Sequence, residues 1–168
     1  SFKPMPVKRL FHSLLIEQKI DFKYPDNPNW QKALKSSYRV YYSKAISHYI
    51  DGTFVHRSKL DAQRGHIRTL GTIRGFTPEP YLDDLEIGVI ELVEFSQIEH
   101  MLNALIQRRV DAIYVNIDVA KFQLASFPLH EQVIAFNANL PYVVGNYYLS
   151  TVKYPEVLLL INSFIDSH

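Results

Sequence analysis

Residues 70–82, LGTIRGFTPEPYL, carry side chains and a turn that can bind a small ligand. A short β-type run ends at Gly75, which permits a tight turn, and Thr77 before Pro78 has the form of a helix N-cap followed by proline at the first helical position. Backbone N–H groups in the first turn of a helix have no partner within the helix, so they attract an anion or a polar group. The sequence therefore predicts Thr77 as a ligand contact. The alternative is that Thr77 only caps its own helix.

A second polar candidate follows the most apolar segment of the chain. Residues 110–115 are nearly all apolar, which is typical of a strand covered on both faces by helices. Asn116 and Asp118 come just after this segment. Because ligands of open α/β sheets bind beyond the carboxyl ends of the strands, Asn116 is predicted to contact a ligand as well.

Enzymatic chemistry has little support in the residues. The sequence contains no cysteine, which excludes thiolate catalysis and cysteine-based metal sites, and it has neither a G-x-S-x-G motif nor a P-loop. The histidines are scattered without the spacing of a metal site; they are His12, His48, His56, His66, His100, His130 and His168. We therefore expect no enzyme activity, no metal and no cofactor.

Charge and hydropathy limit the classes of partner. Lys and Arg total 18 against 17 Asp and Glu, and no basic run is longer than a few residues, so nucleic acid binding is disfavoured. Hydrophobic residues make up 47% of the 168 residues, enough for a core, and no apolar run approaches the roughly 20 residues that span a bilayer. The chain opens without a methionine or an apolar signal region, so any targeting segment is expected to lie outside this sequence.

Apolar residues at helical spacing predict three main helices. The buried face of the first consists of Val7, Leu10, Phe11, Leu14 and Leu15. The second is predicted to begin at Ser96 as N-cap, with Glu99 completing a capping box. Its buried face consists of Ile98, Met101, Leu102, Leu105 and Ile106. The third begins at Pro155, and its buried face consists of Leu158, Ile161, Phe164 and Ile165.

Predicted strands alternate with these helices. They lie at residues 20–24, 38–42, 50–55, 68–73, 90–93, 110–115, 133–136 and 142–151, with shorter helices at 81–85 and 117–124. The turn formers of residues 25–28 are predicted to end the first strand, and residues 29–37 to form a short helix or a loop. This alternation indicates an α/β fold with a largely parallel sheet.

Three of these segments together resemble one protein family. Residues 70–75 resemble an "IGxxxG" strand and turn, residues 108–112 a "GrvDA" helix-to-strand junction, and residues 42–46 an "FS-P-Y" stretch. In this order and spacing they are similar to the extracellular solute-binding protein family 3, the type II periplasmic binding proteins, over nearly the whole chain. The resemblance implies two α/β lobes joined by two crossover strands, with the solute held between the lobes.

The resemblance also implies the domain boundaries. Residues 1–57 would form part of the first lobe and the first crossover strand, residues 58–139 the second lobe, and residues 140–168 the second crossover strand and a terminal helix of the first lobe. Family members begin with a strand, a helix and another strand, whereas this chain enters near the end of that last strand, at residues 2–5. A first lobe incomplete at its N-terminus would expose a strand edge there and favour self-association.

The amino-acid-binding pattern of the family is broken here. In members that bind amino acids, an Arg holds the α-carboxylate, and an Asp five residues after the "DA" aspartate pairs with the α-ammonium. Residues 26–37 contain no clear Arg, and Asn116 occupies the second position, where an amide cannot neutralise an ammonium group. Asp118 could take that place. The other ligand contacts implied by the resemblance are Tyr24, Asp26, Asn27, Trp30, Asp51, Arg74, Gly75, Phe76 and Thr77.

Ordinary structural roles are alternatives for several of these residues. Trp30 could fill the core, Arg74 could lie in solvent or pair with Glu79, and Asp51 with Gly52 could form only a bulge. The leading prediction is a periplasmic or otherwise extracytoplasmic solute-binding protein without enzyme activity, of the ABC transporter type or associated with a receptor. It would bind a small polar or anionic solute, and a membrane permease or a receptor would read the bound state. The alternative is a sensor domain or a small α/β enzyme that uses the same fold.

Overall fold

A computed structural model describes residues 5–126 and 133–167. The strand end and self-association predicted at residues 2–5 lie outside these residues apart from Met5, as do His130 and His168. The described strands are β1 (Lys23–Asp26), β2 (Tyr41–Tyr42), β3 (Ser47–His56), β4 (Thr69–Ile73), β5 (Glu91–Phe95), β6 (Ala112–Asn116), β7 (Ile134–Phe136) and β8 (Tyr142–Thr151). The described α-helices are α1 (Val7–Phe11), α2 (Lys32–Lys35), α3 (Leu82–Glu86), α4 (Ile98–Ile106), α5 (Ile117–Ala125) and α6 (Pro155–Asp166).

The chain divides into two compact units. Unit 1 consists of Ser1–Tyr49 and Gly145–His168, and unit 2 of Ile50–Val144. Both β3 and β8 begin in one unit and end in the other, so the chain passes between the units twice. The lobe boundaries expected after residues 57 and 139 stay a prediction. Within the described residues, no helix is long and apolar enough to cross a membrane.

Unit 1 is built on the first predicted helix. α1 continues into a π-helical turn, His12–Ile16, and its side chains Phe11, Leu14 and Leu15 are buried as the helical spacing predicts. Strands β1 and β2 both pair antiparallel with β8.

One prediction for unit 1 is wrong, and another holds only in part. Pro25 and Asp26 belong to β1 and not to a turn, because β1 pairs with β8 alone in the described residues and proline is tolerated on such an edge strand. In α6, Leu158 is buried but Phe164 is 63% exposed, so only part of the predicted apolar face packs on the described core.

Unit 2 contains a mixed sheet covered by helices. β4 pairs parallel with β5 and β6, whereas β3 pairs antiparallel with β6 and β7. This arrangement confirms the predicted α/β class. The apolar face of α4 packs on the sheet as predicted, with Met101, Leu102 and Leu105 fully covered. The predicted capping box is wrong because the N-cap is Gln97, which moves Glu99 to the second helical position.

The aspartate of the "GrvDA" segment has a structural role in unit 2. The Asp111 carboxylate accepts hydrogen bonds from the backbone N–H groups of Arg68 and Thr69, both at 3.0 Å, and from the Thr69 hydroxyl at 3.1 Å. These bonds join the start of β4 to the residue before β6. Asp111 therefore fixes the alignment of two parallel strands and, with it, the position of their carboxyl ends.

Candidate functional site

Three segments of unit 2 meet at one edge of its sheet. β4 and β6 are parallel neighbours, so residues 74–79 after β4 and Asn116 at the end of β6 lie at the same edge. β3 runs antiparallel to β6, and its register places Asp51 opposite Asn116. We call Asp51, residues 74–79 and Asn116 the carboxyl edge of unit 2. The prediction that Asn116 lies at the carboxyl end of a strand is confirmed.

The side chain of Asn116 is held at both ends. Its Oδ1 accepts hydrogen bonds from the backbone N–H groups of Asp118 and Val119, both at 3.1 Å, and so caps α5. Its Nδ2 donates to Oδ1 of Asp51 at 3.1 Å, and the side chain is buried. The helix cap therefore aims the amide donor at the neighbouring strand.

Asp51 is a buried carboxylate of the carboxyl edge, with only 3% of the residue exposed. Burial raises the pKa of Asp51 to about 7; the Asn116 hydrogen bond opposes this rise, and the negative charge of Glu79 adds to it. A substantial part of the Asp51 side chains is therefore protonated near neutral pH. Sequence analysis placed Asp51 among the implied contacts, but its pairing with Asn116 needed the strand register.

The loop after β4 has a different structure from the predicted one. Gly75 has φ +85°, which confirms the tight turn. Its backbone N–H donates to Oε1 of Glu94 at 3.1 Å, and the N–H of Phe76 donates to the Ile73 carbonyl at 2.8 Å. Both donors are thus used within the protein.

The prediction that Thr77 caps a helix beginning at Pro78 is wrong. A 3₁₀ turn, Glu79–Tyr81, comes first, without a side-chain cap, and α3 begins only at Leu82. The reason is local, since Pro78 has ψ 71°, outside the helical region, and so it is the N-cap of the 3₁₀ turn and not the first residue of a helix. The anion site expected at a helix N-terminus therefore does not form here. The Thr77 side chain is half-buried and makes no hydrogen bond within the described residues.

Aromatic rings lie beside the carboxyl edge. Tyr114 on β6 has two aromatic neighbours. The Phe76 ring lies 6.1 Å from the Tyr114 ring, and the buried Tyr81 ring lies 5.9 Å from it. The Tyr81 hydroxyl lies 2.8 Å from the Thr53 hydroxyl, which donates to the carbonyl of Pro141. Tyr81 is therefore fixed, whereas Phe76 is half-buried and can pack against a ligand.

Arg74 is exposed, and within the described residues it forms no ion pair. The alternative pairing of Arg74 with Glu79 is therefore not formed. The described residues also contain no group of three or more His, Asp or Glu side chains that could hold a metal ion.

In unit 1, the candidate Asp26 is the centre of a buried charge cluster. Its Oδ1 lies 2.8 Å from Nζ of Lys35 and 3.3 Å from Nζ of Lys23, and its Oδ2 accepts a hydrogen bond from the Ser150 hydroxyl at 2.6 Å. The backbone N–H of Asn27 donates to Oδ1 as well, at 2.8 Å. The carboxylate thus connects β1, α2 and β8. Sequence reasoning missed the two lysines: Lys23 lies on β1 three residues before Asp26, and Lys35 comes from α2, so their meeting at one carboxylate depends on the fold.

The unit 1 candidates Tyr24 and Trp30 belong to an aromatic group. The Trp30 ring lies 5.6 Å from that of Tyr49 and 5.9 Å from that of Tyr147. The Tyr24 side chain is more exposed, and its hydroxyl lies 3.0 Å from the Ser47 hydroxyl. Packing is therefore the described role of Trp30, and ligand contact by either residue stays a prediction.

Comparison with known proteins identifies the fold. No family model matches the chain, and a search of curated proteins found no match. An ancestral arginine-binding protein bound to glutamine has a TM-score of 0.74 at 19% identity, over 99% of this chain and 72% of that one. The amino acid ABC transporter substrate-binding protein AbpA from Streptococcus pneumoniae, bound to L-arginine, has a TM-score of 0.73 at 18% identity, over 99% and 69%. The GluR0 ligand-binding core with L-glutamate has a TM-score of 0.73 at 9% identity, over 96% and 72%.

These likenesses extend over nearly the whole chain. They confirm the predicted fold, that of the type II periplasmic binding proteins. At identities of 9–19% they establish the fold alone.

Proposed function

We propose that this chain is a solute-binding protein without enzyme activity that works outside the cytoplasm with a membrane permease or a receptor. The carboxyl edge of unit 2 is the observation that carries the proposal. It combines a buried carboxylate and amide, Asp51 and Asn116, with the half-buried side chains of Phe76 and Thr77. Small-molecule sites typically have such a composition, in which apolar surface surrounds a few placed polar groups.

We further propose that the solute belongs to the amino acid class. The three structures named above contain glutamine, L-arginine and L-glutamate, and they share the fold of this chain. The carboxyl edge carries the carboxyl side chains of Asp51 and Glu79, which lie close enough that the negative charge of Glu79 raises the pKa of Asp51. A solute with only anionic groups would be repelled there, so of the polar or anionic solutes expected from the sequence we favour one that carries a cationic or neutral donor group.

Each part of the edge has a task in this proposal. The Thr77 hydroxyl, which has no hydrogen-bond partner among the described residues, offers a donor and an acceptor to polar groups of the solute, and the Phe76 ring offers a face for its apolar part. Asn116 keeps its amide donor fixed through the α5 cap. Solute binding would shift the population toward the state that contacts these groups, and the permease or receptor would read that shift.

A thermal-shift screen tests the proposed function. The full chain is heated with each of the common amino acids, with simple amines and with organic acids. A solute present at about 100 times its Kd should add about 2.7 kcal/mol to the free energy of unfolding. Replacing Thr77 by valine should lower the affinity for that solute about 2- to 10-fold, because one hydrogen bond is lost. The control Gln107→Ala, at the exposed end of α4, should leave the affinity unchanged. Absence of a shift with every solute, together with measurable turnover of any of them, would contradict the proposal.

A further inference from the structure

A groove in unit 2 lies between β5 and α4, and it shares no residue with the carboxyl edge. Its volume is about 440 Å³, within the range of roughly 300 to 1,000 Å³ that is typical of small-molecule sites. β5 is the outermost strand of the sheet, because among the described residues it pairs only with β4. The side of β5 away from β4 is therefore not covered by another described strand.

Much of the groove lining is apolar. It consists of Val93 and Phe95 of β5, Ala104 of α4, and Val110. Gly71 allows the Phe95 and Val110 side chains to pack close to β4, because a Cβ on Gly71 would lie 3.1 Å from Cε2 of Phe95 and 3.5 Å from Cγ2 of Val110. Ala104 contributes only a methyl group from the helix side. An apolar ligand body can therefore pack between the helix and the strand.

The polar part of the lining favours an anionic group. It includes His100, Asn103 and Arg109, whereas no Asp or Glu of the described residues lines the groove. Arg109 is exposed, and its guanidinium forms no ion pair or hydrogen bond with any described side chain or backbone group. A guanidinium can donate two parallel hydrogen bonds to a carboxylate. Arg109 is therefore a cation available to a carboxylate in the groove.

The end of α4 fixes the backbone of Arg109. Arg108 has φ +56°, and the N–H groups of Arg108 and Arg109 donate to the carbonyls of Leu105 at 3.0 Å and Ala104 at 2.8 Å. This left-handed turn closes the helix and uses two carbonyls that would otherwise attract a cation to the helix C-terminus. A ligand at this end of the groove therefore meets the Arg109 cation and not these two carbonyl groups.

An added β-strand is the competing occupant, because β5 is an edge strand. Glu91 and Glu94 of β5 are both exposed. Charged side chains along an edge oppose the pairing of a further strand. A small molecule therefore fits the groove better than a peptide strand.

We propose that this groove is a further small-molecule site, which binds an amphipathic carboxylate. The apolar body of the ligand packs against Val93 and Phe95, and its carboxylate accepts hydrogen bonds from Arg109. Alkanoates and arylalkanoates of moderate length have this composition. The site does not depend on the solute proposed for the carboxyl edge.

The experiment follows the backbone amide chemical shifts of the ¹⁵N-labelled full chain at neutral pH during titration with 3-phenylpropanoate. The matched probes are 3-phenylpropanamide, which is neutral, and 3-phenylpropylamine, which is cationic; both keep the apolar body. The variants are Arg109→Gln, Arg109→Lys, Asn103→Phe and the control Arg108→Gln. The dispersion of the amide signals shows whether each variant is folded.

The signals should locate the ligand. 3-Phenylpropanoate should shift the amide signals of Val93 and Ala104, which line the groove, and leave those of Gly75 and Asn116 at the carboxyl edge in place. The neutral probe should bind the wild type more weakly than the carboxylate does, and the cationic probe more weakly still, because neither can accept the charged hydrogen bonds of a guanidinium.

The variants should separate charge from packing. Arg109→Gln should lower the affinity for 3-phenylpropanoate about 5-fold or more and leave that for the neutral probe unchanged, whereas Arg109→Lys should lose less. Arg108→Gln should stay within about twofold of the wild type, since the Arg108 guanidinium donates to the Ser58 hydroxyl at 3.3 Å and does not line the groove. Asn103→Phe should abolish binding of both probes, because the ring would take the space of the apolar body.

Four results would overturn the inference, and none of them bears on the proposed function. The first is a titration with 3-phenylpropanoate that shifts no signal of the groove or shifts those of the carboxyl edge instead. The second is equal affinity for the three probes. The third is a folded Arg109→Gln protein that binds the carboxylate as tightly as the wild type does. The fourth is a wild-type dimer in sedimentation that Asn103→Phe dissociates, which would make a second copy of the chain the occupant.

Discussion

Replacing Lys23 by methionine is expected to stabilise the protein at neutral pH. Lys23 is 2% exposed and lies 3.3 Å from Asp26, which Lys35 already contacts at 2.8 Å. Two buried ammonium groups thus share one carboxylate. Removing one of them leaves a balanced Lys35–Asp26 pair, and methionine has nearly the length of lysine without the charge.

The magnitude follows from the pKa of Lys23. Burial lowers it from 10.5 to about 8, and Lys35 adds to this effect while Asp26 opposes it. The difference between these two pKa values corresponds to about 3 kcal/mol, the free energy by which the folded state disfavours the charged form of Lys23. Methionine loses the hydrogen bond to the Pro25 carbonyl and the ammonium contact with the Phe11 ring at 4.2 Å, together worth about 1 to 2 kcal/mol. The net gain at pH 7 is therefore about 1 to 2 kcal/mol.

The pH dependence gives a sharper test. Because the folded pKa of Lys23 is below the unfolded one, the folded state binds fewer protons between about pH 8 and 10.5, and the free energy of unfolding rises with pH there. The penalty is fully present below pH 8 and vanishes above 10.5. Urea unfolding should thus show the Lys23→Met advantage at pH 7 shrinking by pH 10, whereas Lys32→Met at an exposed site should show neither effect. A Lys23→Met protein that is less stable than the wild type at pH 7, with a difference independent of pH, would refute the reasoning.

Three further changes test other parts of the structure. Asp26→Asn should cost about 3 to 5 kcal/mol in the free energy of unfolding, measured in urea, since it leaves two buried lysines without a counter-charge; a loss below 1 kcal/mol would contradict the cluster's importance. The pKa of Asp51 is raised from 3.8 to about 7, so the folded state binds this proton more tightly than the unfolded state. The free energy of unfolding of the wild type should therefore fall by up to about 4 kcal/mol as pH rises from about 4 through 7, and that of Asp51→Asn should not. Equal pH profiles for the two proteins would exclude this titration. Gly145→Ala should lower stability by about 1 to 3 kcal/mol, because a Cβ would lie 2.5 Å from the Tyr49 ring and hydroxyl, whereas Gly65→Ala meets nothing within 4 Å and should be close to neutral in thermal unfolding.

Elements with a long apolar period were predictable from the sequence. The α4 face is set by residues three and four apart, and its burial follows that period closely. The position of Asn116 at a strand end was predictable for a similar reason, since an uninterrupted apolar run marks a covered strand.

Features that depend on a neighbour outside the local pattern were not predictable in this way. Thr77 has the sequence of a cap, yet Pro78 adopts a non-helical conformation and caps a 3₁₀ turn, so α3 begins only at Leu82. Phe164 keeps the helical spacing of a core residue, yet only the packing of α6 decides its exposure. The partner of Asp51 is 65 residues away in the sequence, so their contact depends on a strand register that no short window contains.

The register between β3 and β6 also affects how sequences of this fold should be compared. Asp51 and Asn116 face each other, so a carboxylate on one strand and an amide on the other supply the same two groups to one small region, whichever strand carries which. An alignment that compares single positions would count Asn116 as the loss of the aspartate expected there from the family pattern, and Asp51 as a separate gain of a carboxylate. A comparison that treats the two positions as one pair would count the charge that this chain carries at Asp51 together with the amide at Asn116.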